Sequence, residues 1–201
     1  ETLLEHAPQH ADIHHLLGVI MGRQSNYAKA VQHFRQAIAL NRTIPSYHYN
    51  LAEALRCKED WKQAEQSYRQ ALQLAPDMVD AYISLGGLLN NQDRLKEAMA
   101  CYQKALQLKP DHVLAYWGIA DILRQQGAYR PAMECYQRII QIQPNLAEAY
   151  YGLGIVLYMA NHFDGAAQYF RQVLQYKPDW TEARKNLGEI LLQQGLLEEA
   201  R

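Results

Sequence analysis

Apolar and polar positions along this chain follow two helical patterns that alternate from end to end. Tyr82, Leu85, Gly86 and Leu89 fall at i, i+3, i+4 and i+7, which is one face of a helix. After the short polar string NQD at 91, a second stripe runs through Leu95, Ala98, Tyr102, Ala105 and Leu108. The same pair of stripes recurs around QSN at 24, KED at 58, QGA at 126, ANH at 160 and QG at 194. The pattern predicts a succession of helical hairpins and no strand.

The second stripe ends each time in nearly the same ten residues. FRQAIALNRT at 34, YRQALQLAPD at 68, YQKALQLKPD at 102, YQRIIQIQPN at 136 and FRQVLQYKPD at 170 start 34 residues apart. A fixed period of this length is the signature of a repeat architecture, in which each unit buries its apolar face only against its neighbours. The units run 11–44, 45–78, 79–112, 113–146 and 147–180, with 1–10 closing an earlier unit and 181–201 opening a later one. The expected organisation is therefore a single array over 1–201, with one core that every unit extends.

Local signals fit this division. Pro76, Pro110, Pro144 and Pro178 lack an amide hydrogen and stop the second helix of their units. Asp77, Asp111, Asn145 and Asp179 follow them and are expected to cap the next helix; Asp80, Glu148 and Glu182 stand three residues on from three of them, in capping-box register. Arg42 replaces the proline once, with Pro45 placed for a first helical turn. Small residues at Gly18, Ala52, Gly86, Ala120, Gly154 and Gly188 are expected to face Ala30, Ala64, Ala98, Ala132, Ala166 and Ala200. Phe34, Tyr68, Tyr102, Tyr136 and Phe170 are expected to fill the gap to the following hairpin.

Tyr82, Leu85, Gly86, Leu89, Ala98, Tyr102, Ala105 and Pro110 resemble the tetratricopeptide repeat, with Tyr where that family often has Trp. His14, His48 and Arg184 depart from the pattern at the bulky aromatic, and Ile139 and Val173 at the later alanine. The resemblance implies an all-α, right-handed superhelical solenoid of antiparallel hairpins. In it the first helices line a concave side that holds an extended peptide or a partner's helix.

At 100° per residue, the second, fifth, ninth and twelfth places of each first helix fall together, about 140° from the core stripe. This face is only partly polar. Tyr49, Ile83, Trp117 and Tyr151 occupy the fifth place, and Ile155 and Tyr158 extend the apolar track. Glu53, Arg56, Asn90, Asp121, Arg124 and Lys185 border it. An apolar track with a mixed border fits a protein or peptide segment with hydrophobic anchors, and Trp117 is the leading anchor site. Against this stands the reading in which the fifth-place aromatics pack on their own neighbouring helix.

Charge narrows the partner. Charged residues make up 20% of the chain and the net charge is -1, so no electrostatic pull toward nucleic acid or an anionic membrane is expected. No apolar run has the length of a membrane span, and no signal peptide opens the chain. Cys57, Cys101 and Cys135 form no metal-binding spacing and read as reduced thiols in a cytoplasmic setting. His10, His14 and His15 have helical spacing but no further ligand, so no metal or other cofactor is expected. LGGLL and YGLGIV lie inside helical stretches without the Lys-Ser/Thr of a phosphate loop, and no enzymatic activity is assigned.

Two subtypes can be compared residue by residue. The chaperone-tail clamp of this family requires basic fifth places, and only Lys185 qualifies. The arms of O-linked N-acetylglucosamine transferases carry asparagine at the sixth place, which here reads Leu16, Asn50, Ser84, Gly118, Gly152 and Asn186. HHLLGVI and YHYNLAEAL also resemble the opening repeats of arms on bacterial glycosyl-, sulfo- or methyltransferases. The expected function is a protein-interaction scaffold; the alternative is the substrate-recognition arm of a larger transferase. Glu1 in place of Met reads as a fragment, and uncapped ends predict end-to-end self-association.

Overall fold

A computed structural model of the chain describes residues 10–193 and 195. Among these residues every regular element is a helix. The chain forms two compact units, Glu1–Lys109 and Pro110–Arg201. The first contains α1 (Ala11–Arg23), α2 (Tyr27–Leu40), α3 (Pro45–Cys57), α4 (Trp61–Leu74), α5 (Val79–Asn91) and α6 (Leu95–Leu108). The second contains α7 (Val113–Gln125), α8 (Tyr129–Ile142), α9 (Ala147–Met159), α10 (Phe163–Tyr176) and α11 (Thr181–Gln193). In the first unit α1 packs on α2, α3 on α4 and α5 on α6, while α2 meets α3 and α4 meets α5; the second unit repeats the scheme from α7 to α11. The predicted end-to-end contacts fall on residues outside the described ones.

Each hairpin is held by one sharp turn. Its middle residue is left-handed in all five cases: Ser25 (φ 58), Glu59 (φ 61), Asp93 (φ 59), Gly127 (φ 72) and Asn161 (φ 60). The next amide reaches back to the carbonyl five residues earlier: Asn26 to Met21, Asp60 to Leu55, Arg94 to Leu89, Ala128 to Leu123 and His162 to Leu157. This is the Schellman closure, which satisfies orphan carbonyls at a helix end. Only Gly127 enters it without a Cβ penalty. The following helix gains a side-chain cap in two hairpins, where Asn26 accepts from the Lys29 amide and Asp60 from the Gln63 amide.

The prolines act differently from the sequence expectation. The helices after them have Met78, His112 and Leu146 as N-caps, and none of these makes a side-chain cap hydrogen bond. Asp77, Asn145 and Asp179 sit instead in β-turns closed by Met78 N–H to Ala75 O, Leu146 N–H to Gln143 O and Trp180 N–H to Lys177 O. Proline fits the second position of such a turn and Asp or Asn tolerates the third, so turn chemistry overrides capping. Where Arg42 replaces proline, Asn41 takes over: its Oδ1 accepts from the Thr43 amide at 3.0 Å and from the Thr43 hydroxyl at 2.8 Å.

Ala30, Ala64, Ala98, Ala132 and Ala166 are fully buried, as the two-helix pattern requires. The aromatic rings do more than the sequence expectation gave them. A Cβ added at Gly18 would lie 2.6 Å from the Phe34 ring, at Gly86 2.8 Å from Tyr102 and at Gly154 2.8 Å from Phe170. Phe34, Tyr102 and Phe170 therefore fill the space over the missing side chain in their own hairpin, rather than only the gap to the next. Contacts to the following hairpin are present as well: Tyr136 would stand 2.4 Å from a Cβ at Gly152, and Phe170 shares a buried cluster with Ile190.

Candidate functional site

The first helices of each unit carry the candidate residues, and the structure treats the two units differently. In the first, Tyr49 is half-buried, with its hydroxyl 3.5 Å from Ser84 Oγ and its ring 6.0 Å from that of Tyr68. Burial raises its phenol above the ordinary value. Burial opposes ionisation of Glu53, but hydrogen bonds from the Tyr68 hydroxyl and from Arg56 outweigh it and hold the carboxyl below its usual range. Arg56 Nη2 donates to Glu53 at 2.8 Å. Ile83 and Asn90 are half-buried on α5. A cleft of about 320 Å³ opens beside Gly18, Gly22, Tyr27, Phe34, Asn50 and Glu53, and only Glu53 in it belongs to the predicted set.

In the second unit the predicted residues converge. Trp117, Asp121 and Arg124 of α7 and Tyr151 and Ile155 of α9 line one pocket of about 280 Å³. Trp117 is half-buried and meets Tyr136 edge to face, with ring centroids 5.5 Å apart. Arg124 Nη2 donates to Asp121 at 2.5 Å, and Gln125 Nε2 donates to its other oxygen at 2.9 Å. Tyr158 sits apart, edge on to Phe163 at 5.5 Å. Lys185 is exposed, with its ammonium 3.9 Å from Glu189.

Four further residues complete the pocket: Tyr136, Glu148, Gly152 and Trp180. Trp180 stacks on Tyr151, with centroids 4.8 Å apart and planes at 22°. Lys177 bonds to Glu148 and places its ammonium 5.2 Å from the Trp180 centroid. That bond holds the Glu148 carboxyl below its usual range. Trp180 lies just outside the helical places used to define the face, which is why the periodicity missed it. The available signal was its type, since the equivalent positions hold Ile44, Met78, His112 and Leu146.

A recurrent bond ties fifth places to sixth places of the next repeat, 35 residues on. Asn50 Nδ2 lies 2.7 Å from His15 Nε2, Tyr49 meets Ser84, and Asn186 Nδ2 donates to the Tyr151 hydroxyl at 3.1 Å. The fifth-place aromatics Tyr49 and Tyr151 thus serve packing between repeats as well as the exposed face. The corresponding step from Trp117 arrives at Gly152, which has no side chain to offer. His14 and His15 take different partners, His33 Nδ1 at 3.3 Å and Asn50 respectively. Among the described residues no group of three or more His, Cys, Asp or Glu side chains is placed to hold a metal. No described helix is long and apolar enough to cross a membrane.

Comparison with known proteins places these features. Tetratricopeptide repeat family models match residues 11–44, 49–113 and 157–201, and a TPR repeat model matches 120–161. No curated protein matches the sequence. Among solved structures, PilF of Pseudomonas aeruginosa is 19% identical with a TM-score of 0.81, covering 94% of this chain and 86% of its own. The MamA protein is 19% identical, with a TM-score of 0.76 and coverage of 86% and 94%. YrrB, a TPR protein with an unusual peptide-binding site, is 19% identical, with a TM-score of 0.74 and coverage of 90% and 94%. At these identities the likeness is one of fold.

Proposed function

We propose that this chain, which belongs to the tetratricopeptide repeat family, is a protein-interaction scaffold that binds a peptide or protein segment along the face of its first helices. The observation that carries this reading is the convergence of Trp117, Tyr151 and Ile155 on one open pocket bordered by Asp121 and Arg124. Partly exposed aromatic side chains among paired charges are the ordinary composition of a protein-binding surface. The peptide-binding site of YrrB supports the same direction at the level of the fold. The array is assigned no reaction of its own. The reading includes a reducing, cytoplasmic setting, in which Cys57, Cys101 and Cys135 stay free.

The test is a selection of random twelve-residue peptides, displayed on phage, against the purified chain. Selected peptides should lose affinity on substitution of Trp117 or Tyr158 by Ala and keep it on substitution of Arg138, which is exposed on the second helix α8. Binders that respond to Arg138 and ignore both aromatics would remove the reading.

A further inference from the structure

We infer that the pocket beside Trp117 is an anchor subsite for one large apolar side chain, aromatic or branched aliphatic, carried by a peptide segment of a partner protein. The inference rests on the first-helix face being the partner-binding face. It adds what that face recognises, and where.

The pocket opens where the bond between successive repeats is missing. His15, Tyr49 and Tyr151 are each met by Asn50, Ser84 and Asn186 from the next repeat, which spans the space between neighbouring first helices. Opposite Trp117 the equivalent position is Gly152, and the space above it is the pocket of about 280 Å³. Gly152 cannot acquire a side chain cheaply, because its Cβ would stand 2.4 Å from the Tyr136 ring. The gap is therefore built by the large ring beneath it.

Charge decides the class of occupant. Asp121 already receives Arg124 and Gln125, and Glu148 already receives Lys177. A cationic side chain would meet carboxylates whose charge Arg124 and Lys177 already balance, and a carboxylate would meet Arg124 already balanced by Asp121, so neither gains the attraction of an unpaired partner. A neutral apolar side chain breaks nothing and gains burial against Trp117, Tyr151, Ile155 and Trp180. Leu114, one helical turn before Trp117, is 59% exposed, so apolar surface continues from the pocket along α7. The Tyr151–Trp180 stack gives the pocket a preformed wall, which limits the ordering cost of binding.

The experiment uses peptides from the same displayed library, resynthesised and titrated against wild type, Ile155→Trp, which fills the pocket, and Trp117→Ala, which removes a wall. Melting curves and helical circular dichroism establish that each variant is folded. If one variant does not fold, the other carries the test. The expected result is a consensus with one large apolar residue whose replacement by Ala weakens binding to wild type about 10- to 100-fold, and to the altered pocket by less than about 3-fold. A consensus anchored by Lys, Arg or an acid overturns the inference, as does equal affinity for wild type and both variants. If Tyr158→Ala still weakens those peptides, only the subsite is lost; if no substitution on the first-helix face matters, the binding face falls with it. A selection that returns nothing, from a chain whose dimer Ile155→Trp dissociates, assigns the pocket to a second copy and also overturns it.

Discussion

The Nε2 of His48 lies 2.9 Å from the carbonyl oxygen of Arg42, six residues earlier. Tyr116 reaches the Pro110 carbonyl at 3.1 Å, Tyr150 the Pro144 carbonyl at 2.8 Å and Arg184 the Pro178 carbonyl at 2.6 Å. Three residue types thus perform one task, since each is a long donor placed to close the turn ahead of its own helix. His48 and Arg184 break the aromatic pattern of the family and keep its hydrogen bond. Tyr150→Phe removes the hydroxyl and leaves the ring, and should cost about 1 kcal/mol. His48→Phe should cost a similar amount, read as a shift of the urea midpoint at unchanged slope.

The hairpin turns can be improved. Glu59 holds a left-handed conformation at φ 61 that glycine adopts freely. Glu59→Gly should stabilise the protein by about 0.5–1 kcal/mol. Ala128 occupies an N-cap without a side-chain bond, where Asp60, two repeats earlier, has one. Ala128→Asp should add about 1 kcal/mol. Chemical denaturation of the single and double variants measures both, and the sum should hold because the sites are far apart in sequence and share no partner.

Close packing over Gly86 predicts the opposite sign. A methyl group there would meet the Tyr102 ring at 2.8 Å, and both residues are buried. Gly86→Ala gains helix propensity but forces the ring to move, and should lower stability by about 1–3 kcal/mol. Gly22→Ala, where a Cβ meets nothing within 4 Å, should be stabilising and serves as the control.

Acid should loosen the first hairpin. Burial lowers His15 from its ordinary 6.5 against the pull of Asp12. Burial also lowers His33, and there His14 and Lys29 push the same way. The unfolded chain therefore binds more protons just below pH 6.5, so this contribution to stability is complete above that value and is lost as pH falls through the lowered pKa values. The melting temperature should drop between about pH 7.5 and pH 5, and His33→Gln should flatten the drop. Equal pH slopes in the two proteins would contradict the assignment.

The period, the helix faces and the buried alanines were legible because each depends on spacing alone. Trp117, Asp121, Arg124, Tyr151 and Ile155 were legible for the same reason, as places on one face of successive first helices. Turn chemistry was read less well: a Pro-Asp pair serves both a cap and a β-turn, and only the distance to the helix start separates them. Trp180 escaped because it enters the pocket from a turn, where no periodic face points to it, whereas Tyr136 was legible on the second-helix stripe as filler of the gap to the following hairpin, where it meets Gly152. The missing bond at Gly152 was present in the sixth-place residues, but its meaning required knowing that Asn50 and Asn186 reach back to the preceding repeat.

The most direct measurement places a photocrosslinking amino acid at Tyr158 or Lys185, on the first-helix face, and at Lys104 or Arg138, on exposed faces of α6 and α8. Each protein is irradiated with a selected peptide and the adduct mapped by mass spectrometry. The account predicts adducts from the first-helix positions only, suppressed by excess unlabelled peptide. Competable adducts from Lys104 or Arg138, with none from Tyr158 or Lys185, would contradict it.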